Sequence, residues 1–454
     1  MKNPPIIKQI SESFIMPNLN ELNDVKDPYF LAPGDLAMLS AHYIQKGLLF
    51  YKPSTRIEEF SIEIFLEKLR DSLSRTLVLF YPLVGQLTTK INDDEHTCLI
   101  YVDCKKGPGV RFVHATVDLA VDDILSPTDV QPITKLFFDH HKAVNHDGHS
   151  SPLLSVQVTE LEDGVFIGCS MNHAVGDGTS YWNFWNTWSK IHQQHSTTLS
   201  LPVLERWFPE GHGPRIILPF TRTDEFITRF EAPQLRERIF HFSSDSISEL
   251  KKKANREAGE PQKEISSLQA LSALVWRAIT RSRCLAPDER TVCSLDANLR
   301  QRLNPRLPHG YFGTAIWVAK AAATTDQVLG NNLGWTALLL QKAVLELTNQ
   351  TVRNVFESWM QSPFVYQIEK FFEPNSIVIG SSPRFDMYGN DFGIGKPVAV
   401  RSGYANKFPG KVTTYPGREG GRSVDLEICL PPDEISVLES DKEFIAMTVE
   451  GLHV

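Results

Sequence analysis

The chain has 454 residues and a formal net charge of −8, with hydrophobic residues at 42% and charged residues at 22%. That length exceeds what one hydrophobic core holds and predicts two domains of similar size with a cleft between them, and the composition is globular, which excludes disordered and fibrous classes. The acidic balance argues against nucleic acid as a partner, because phosphate binding needs a concentrated basic face.

Cys98, Cys104, Cys169, Cys284, Cys293 and Cys429 are scattered without CxxC spacing and read as reduced thiols of a cytoplasmic protein. No apolar run approaches the ~20 residues needed to span a bilayer. Met1-Lys2-Asn3-Pro4-Pro5 lacks a signal-peptide core and Gly451-Leu452-His453-Val454 is not a peroxisomal address, so the expectation is a cytoplasmic chain with no membrane partner.

Residues 6 to 16 alternate in part and stop at Pro17, which predicts an opening strand. His42 precedes the apolar segment Gly47-Leu48-Leu49-Phe50-Tyr51. Between 59 and 78, Ile62, Phe65, Leu66, Leu69, Leu73 and Leu77 form one stripe of an amphipathic helix. Strands follow near 97–103, 110–115, 153–160 and 164–171. His140, His141, His146 and His149 gather around Asp147, but Asn145, Gly148, Ser150 and Ser151 make this a polar turn, and no metal site is assigned.

The run Val165-Phe166-Ile167-Gly168-Cys169-Ser170-Met171 leads into Asn172-His173-Ala174-Val175-Gly176-Asp177-Gly178, after which Trp182, Trp185, Trp188 and Ile191 recur at helical spacing. His173 therefore stands at a strand-to-helix junction, where the backbone holds a side chain still for a substrate. With an ordinary pKa of about 6.5, a neutral imidazole is available as a base near pH 7. Asp177 either orients His173 or pairs with a distant arginine and holds the loop shut.

After the helix expected over 178–195, polar residues and then a Pro- and Gly-containing stretch mark a crossover. This divides the chain into a first domain over 1–195, a linker over 196–225 and a second domain over 226–454. The second half opens with a strand near 237–243 and the basic helix Leu250-Lys251-Lys252-Lys253-Ala254. Ser266, Ser267 and Gln269 form a capping box ahead of Leu268-Gln269-Ala270-Leu271. A strand near 291–297, the segment Asn298-Leu299-Arg300-Gln301-Arg302, then Tyr311-Phe312-Gly313-Thr314 follow. Helical patterns cover 325–348 and 351–361, and strands near 397–401, 411–415 and 424–430 are expected to close the second sheet. Asp391-Phe392-Gly393-Ile394-Gly395-Lys396-Pro397 is no phosphate loop, since Asn390 stands at the required first glycine and Pro397 at the Ser/Thr position. Nor is it a kinase signature, because the catalytic-loop and Gly-rich motifs are missing.

Asn172-His173-Ala174-Val175-Gly176-Asp177-Gly178 resembles the HxxxDG signature of the plant BAHD acyl-CoA-dependent acyltransferases. Ser266 to Arg277, Asn298 to Arg302 and Asp391 to Gly395 resemble further blocks of that family, in the family's order. The resemblance implies two chloramphenicol-acetyltransferase-like α/β domains, each a mixed sheet flanked by helices, joined by a long crossover loop. It implies a monomer that moves an acyl group from acyl-CoA, a co-substrate with no bound cofactor, to the hydroxyl or amine of a plant specialised metabolite. His173 is then the general base in a ternary complex. Asp177, Gly178, Arg300 and Gly393 structure the site, with Arg300 the cation for Asp177, and Asp391 carries a catalytic role that some assign to this block. Lys252, Lys253 and Ser267 are candidates for CoA, and His42 and Thr314 for the acceptor pocket. Ile394 and Thr314 replace the family's Trp and Asn. These departures keep open a CoA-independent lyase, isomerase or cyclase on the same fold; a binding protein without catalysis is the other alternative.

Overall fold

The structure, a computed structural model, describes residues 5–18, 25, 27–53, 60–194, 199–259, 264–371 and 373–449. The address segments weighed above at 1–4 and 451–454, and the linker's first residues 196–198, lie outside the described residues.

Six strands form a first sheet in the spatial order Lys8–Ile15, Val110–Thr116, Leu154–Glu160, Gly164–Met171, Ile44–Tyr51 and Ala399–Ser402. Val110–Thr116 and Leu154–Glu160 pair in parallel and the other neighbours antiparallel. Gly164–Met171 is buried at every position, which is why it reads as an unbroken apolar run without alternation. One face packs with helices Ile62–Leu79 and Gly178–His192 in the main core, and Phe166 turns the other way onto Phe137 and Phe138.

The second sheet runs Arg236–Phe242, Val424–Leu430, Lys411–Pro416, Ser376–Ser381, Arg290–Asn298, Ile316–Thr324, again mixed. Helices Ser244–Ala258, Ser267–Ser282 and Leu333–Leu345 supply the apolar side chains of its core. The capping box is present: Ser266 Oγ accepts from Gln269 N at 3.3 Å, and Gln269 Oε1 accepts from Ser266 N at 2.8 Å. A small sheet of Tyr29–Phe30, Thr97–Asp103 and Gln86–Asn92 is extended by Ile217–Leu218, which pins the crossover onto the first half.

Two expectations are corrected and one strand is added. The strand near 397–401 does not close the second sheet: Ala399–Ser402 pairs with Ile44–Tyr51 at the edge of the first. The helical pattern over 325–348 is two helices, Thr325–Gly330 and Leu333–Leu345, the second capped by Asn332. Ile316–Thr324 is a strand that escaped the sequence reading because alanines, at 319, 321, 322 and 323, dilute its β character.

Candidate active site

His173 occupies the short junction between Gly164–Met171 and Gly178–His192, and its backbone is fixed at both ends. Its N–H donates to Asn145 Oδ1 at 2.6 Å, and its carbonyl accepts from Thr314 Oγ1 at 2.9 Å. Asn172 clamps the same turn, donating through Nδ2 to the Asn145 carbonyl at 2.7 Å and accepting from Ala174 N at 3.0 Å.

Asp177 begins the helix. One carboxylate oxygen accepts from Ser180 N at 3.0 Å, which satisfies an otherwise free first-turn donor, and the other accepts from Ala315 N at 3.0 Å. Arg300 grips both oxygens in a fork, Nη1 to Oδ2 at 2.7 Å and Nη2 to Oδ1 at 2.9 Å, and both residues are buried. Burial alone raises a carboxyl, but the Arg300 charge and its hydrogen bonds outweigh it and hold Asp177 below the usual range. Of the two roles open for Asp177, the geometry gives the second: it ties the His173 loop to the second half.

A second buried pair does the same from the crossover. Arg206 Nε lies 3.0 Å from Asp35 Oδ2, while Arg206 Nη2 donates to the Val175 carbonyl at 2.8 Å and another N–H reaches the Phe312 carbonyl. Asp35 also accepts from Thr314 N at 2.8 Å. The His173 loop is thereby held by two arginines from outside the first 195 residues. Asp35, Arg206 and Asn145 carry no local sequence signal; the one hint is an arginine within the apolar crossover stretch Leu201–Phe208.

The ring of His173 is half-buried. Nδ1 is buried and makes no hydrogen bond to another described residue. Burial lowers its pKa below the ordinary histidine value, against the opposing pull of its own carbonyl and of the Asp177, Asp296 and Asp35 charges. A neutral ring is thus favoured. It lines a cavity of about 1040 Å³ with Lys46 and Gly178 of the first half and Ser267, Asp296 and Asn298 of the second.

The other expected site residues divide. Ser267 and Gly178 line this cavity. Lys252 and Lys253 do not: Lys252 is exposed, Lys253 pairs with Glu443 at 3.4 Å, and Lys251 is the lysine that reaches the wall. Adjacent helix positions point about 100° apart, so the run alone does not say which one faces inward. His42 is buried behind the wall, where its ring nitrogen lies 3.3 Å from Asn406 Oδ1, and Asn406 is the lining residue. Thr314 is likewise off the main cavity and positions the His173 carbonyl instead. Asp391 is corrected as a catalytic candidate: its carboxylate caps the amides of Gly393 and Gly395 at 2.8 and 3.2 Å, and its carbonyl accepts from Ser189 and Gln193. Those partners sit at the far end of helix Gly178–His192, roughly 20 Å of helix from His173. Gly393 and Gly395 adopt φ of +81° and +90°, the left-handed turn that swings Phe392 onto Trp188 at 4.8 Å. Gly393 therefore shapes a brace behind the helix, away from the cavity wall.

The cluster of histidines holds no metal-like arrangement among the described residues: Asp147 pairs with Arg229 at 2.6 Å, and the His146 and His149 rings face each other at 4.3 Å. The one described group spaced for an ion, Glu237, Glu427 and Cys429, already has the Lys407 ammonium against both carboxylates.

A model of the Transferase family matches residues 7–445. An uncharacterised acetyltransferase of Arabidopsis thaliana is 37% identical over 442 residues, covering 96% of this chain and 98% of its own. The BAHD acyltransferase DCR of the same plant is 33% identical, covering 97% and 92%. The chain belongs to the BAHD acyltransferase family. Among solved structures, F. sporotrichioides TRI101 complexed with coenzyme A and T-2 matches this BAHD chain with a TM-score of 0.73 at 20% identity, over 92% of this chain and 98% of the other. That likeness shows the shared two-domain α/β fold.

Proposed function

We propose that this BAHD chain transfers an acyl group from acyl-CoA to the hydroxyl or amine of a small plant metabolite, with both substrates bound together and His173 as general base. The observation that carries this reading is a half-buried, neutral-favoured imidazole that lines a cavity shared by both halves. The coenzyme A held by TRI101 in the same fold supports the donor assignment.

An alcohol is far too weak an acid to ionise first, so its proton passes to Nε2 as its oxygen attacks the thioester carbonyl. The C–S bond then breaks, and the imidazolium returns the proton to the departing sulfur. Such proton transfer contributes about 10²- to 10⁴-fold, and holding both reactants in one cavity adds an orientational part. A covalent acyl-enzyme is disfavoured: Cys169, four residues before His173, is buried on the strand and its thiol is pushed up to about 12. Ile394 and Thr314, the departures that kept a CoA-independent reaction open, both lie off the cavity wall and lend it no support.

The test is a mass-spectrometric screen of acyl-CoA donors against pooled alcohols, phenolics and amines. Transfer should occur in the wild type, fall about 10²-fold or more in His173→Ala, and give intersecting double-reciprocal plots. Parallel plots, or a rate unchanged by His173→Ala, overturn the mechanism.

A further inference from the structure

Six cationic side chains line the cavity, Lys46, Lys251, Arg302, Arg384, Lys411 and Arg422, against one carboxylate, Asp296, in a chain of net charge −8. Arg384 and Arg422 are exposed, in keeping with the phosphates of a coenzyme. Lys251 pairs with Glu264, and Arg302 donates to the carbonyls of Val344 and Leu347. Neither Lys411 nor Lys46 makes an ion pair among the described residues, and Lys46 is tied to a buried network.

Lys46 comes from the first sheet and is half-buried. Its Nζ donates to Tyr415 Oη at 3.0 Å and sits 5.0 Å from that ring's centre. Tyr415 passes its own hydrogen to Glu427 at 2.7 Å, and Glu427 also accepts from Ser402 and pairs with Lys407 at 2.8 Å. Glu237 pairs with both Lys407 and Lys135. This network holds three lysines and two glutamates, and each glutamate is taken by Lys407 or Lys135. Lys46 makes no ion pair among the described residues, so within this network its charge is the one left over, and two of its three N–H groups have no acceptor among those residues. Burial, with the charges of Lys407 and Lys411, lowers its pKa to about 8 against the opposing pull of Glu427 and Cys429. A half-buried ammonium without a counter-charge is costly alone and gains from an anion delivered by a ligand. Its place suits that ligand: Lys46 stands opposite Cys169 across the antiparallel strands, four residues before His173, at most about 13 Å along extended chain.

We propose that Lys46 is a specificity-determining residue that binds a carboxylate on the acyl acceptor while the acceptor's hydroxyl or amine meets His173. This rests on the acyl-transfer reading and adds a substrate class to it: hydroxy acids and amino acids over their neutral counterparts. A carboxylate on the acyl chain offers the same chemistry from the donor side, so the experiment separates the two.

Acceptors that the wild type turns over are assayed as free acid and methyl ester in wild type, Lys46→Met and Lys46→Arg, with acetyl-CoA and malonyl-CoA as donors. Free acids should be preferred about tenfold or more, as expected for a charge-assisted pair. Lys46→Met should erase that acid-over-ester ratio through the KM of the acid, and Lys46→Arg should keep it. The wild-type ratio should fall as the pH rises through about 8, while Lys46→Arg holds it level. Best acceptors that are uncharged, a ratio that survives Lys46→Met with Lys46→Arg active, or an effect of Lys46→Met confined to malonyl-CoA overturns the proposal. If no acceptor is turned over at all, the transfer reading falls separately. The carboxylate site is then read by ligand-detected NMR with 4-hydroxybenzoate and its methyl ester; equal binding of both, or binding unchanged in Lys46→Met, overturns it.

Discussion

Replacing Arg300 by Met isolates the clamp on the His173 loop. The substitution removes both bonds of the fork to Asp177 together with the donations to the Tyr311 and Gly313 carbonyls. It leaves a buried carboxylate with only the amides of Ser180 and Ala315. Breaking one side of a buried ion pair costs about 3–5 kcal/mol because the survivor stays desolvated. At roughly 2–4 °C per kcal/mol for domains of this size, that is a drop of roughly 6–20 °C in Tm. The loss should be insensitive to added salt, since the pair is screened little. Asp177→Asn with Arg300→Met should cost less than the sum of the two singles, because neither charge is then stranded. Urea and thermal unfolding of the four proteins measure this. The Asp177 carboxyl is lowered in the folded chain, so its contribution is complete above the unfolded value of about pH 4 and disappears as the pH falls toward the folded value. Arg300→Met should flatten that acid limb. An Arg300→Met protein within about 1 kcal/mol of wild type, or strictly additive costs, refutes the clamp.

With the His173 pKa lowered by burial, the acid limb of kcat/KM should fall below the ordinary value of about 6.5, so a pH–rate profile with its limb at or above that value contradicts the assignment. Phe392→Ala should cost about 3–5 kcal/mol in urea unfolding, since it empties the space between Trp185, Trp188 and Phe50. Asp391→Ala, by contrast, should lower stability by about 1 kcal/mol through its lost loop bonds while kcat stays within a few-fold; a collapse of kcat at unchanged stability restores Asp391 to the chemistry.

Local periodicity carried much of the fold. The unbroken apolar run before Asn172, the tryptophans at helical spacing after Gly178 and the stripe from Phe65 to Leu77 each report burial in their own element, and each element formed where its pattern lies. The partner of Ala399–Ser402 could not be read this way, because a four-residue strand is too short to carry a pattern that selects one sheet and only tertiary pairing decides. The same limit governs the site. The motif loop is contiguous and therefore visible, whereas Arg206, Asp35 and Lys46 reach it from segments far away in the chain. His42 and Thr314 lie one layer behind the wall, a depth that residue type does not encode.

The seating of Ala399–Ser402 beside Ile44–Tyr51 also has a consequence for synthesis. On a ribosome adding ~5–20 residues per second, the earlier strand is made roughly 20–70 s before its neighbour. During that interval its outer row of amides and carbonyls lacks the strand that covers it in the folded chain, so this edge of the amino-terminal sheet stays open while the chain grows. Closing that edge waits for the segment that carries Ala399–Ser402, and until then the strand is open to pairing with another chain.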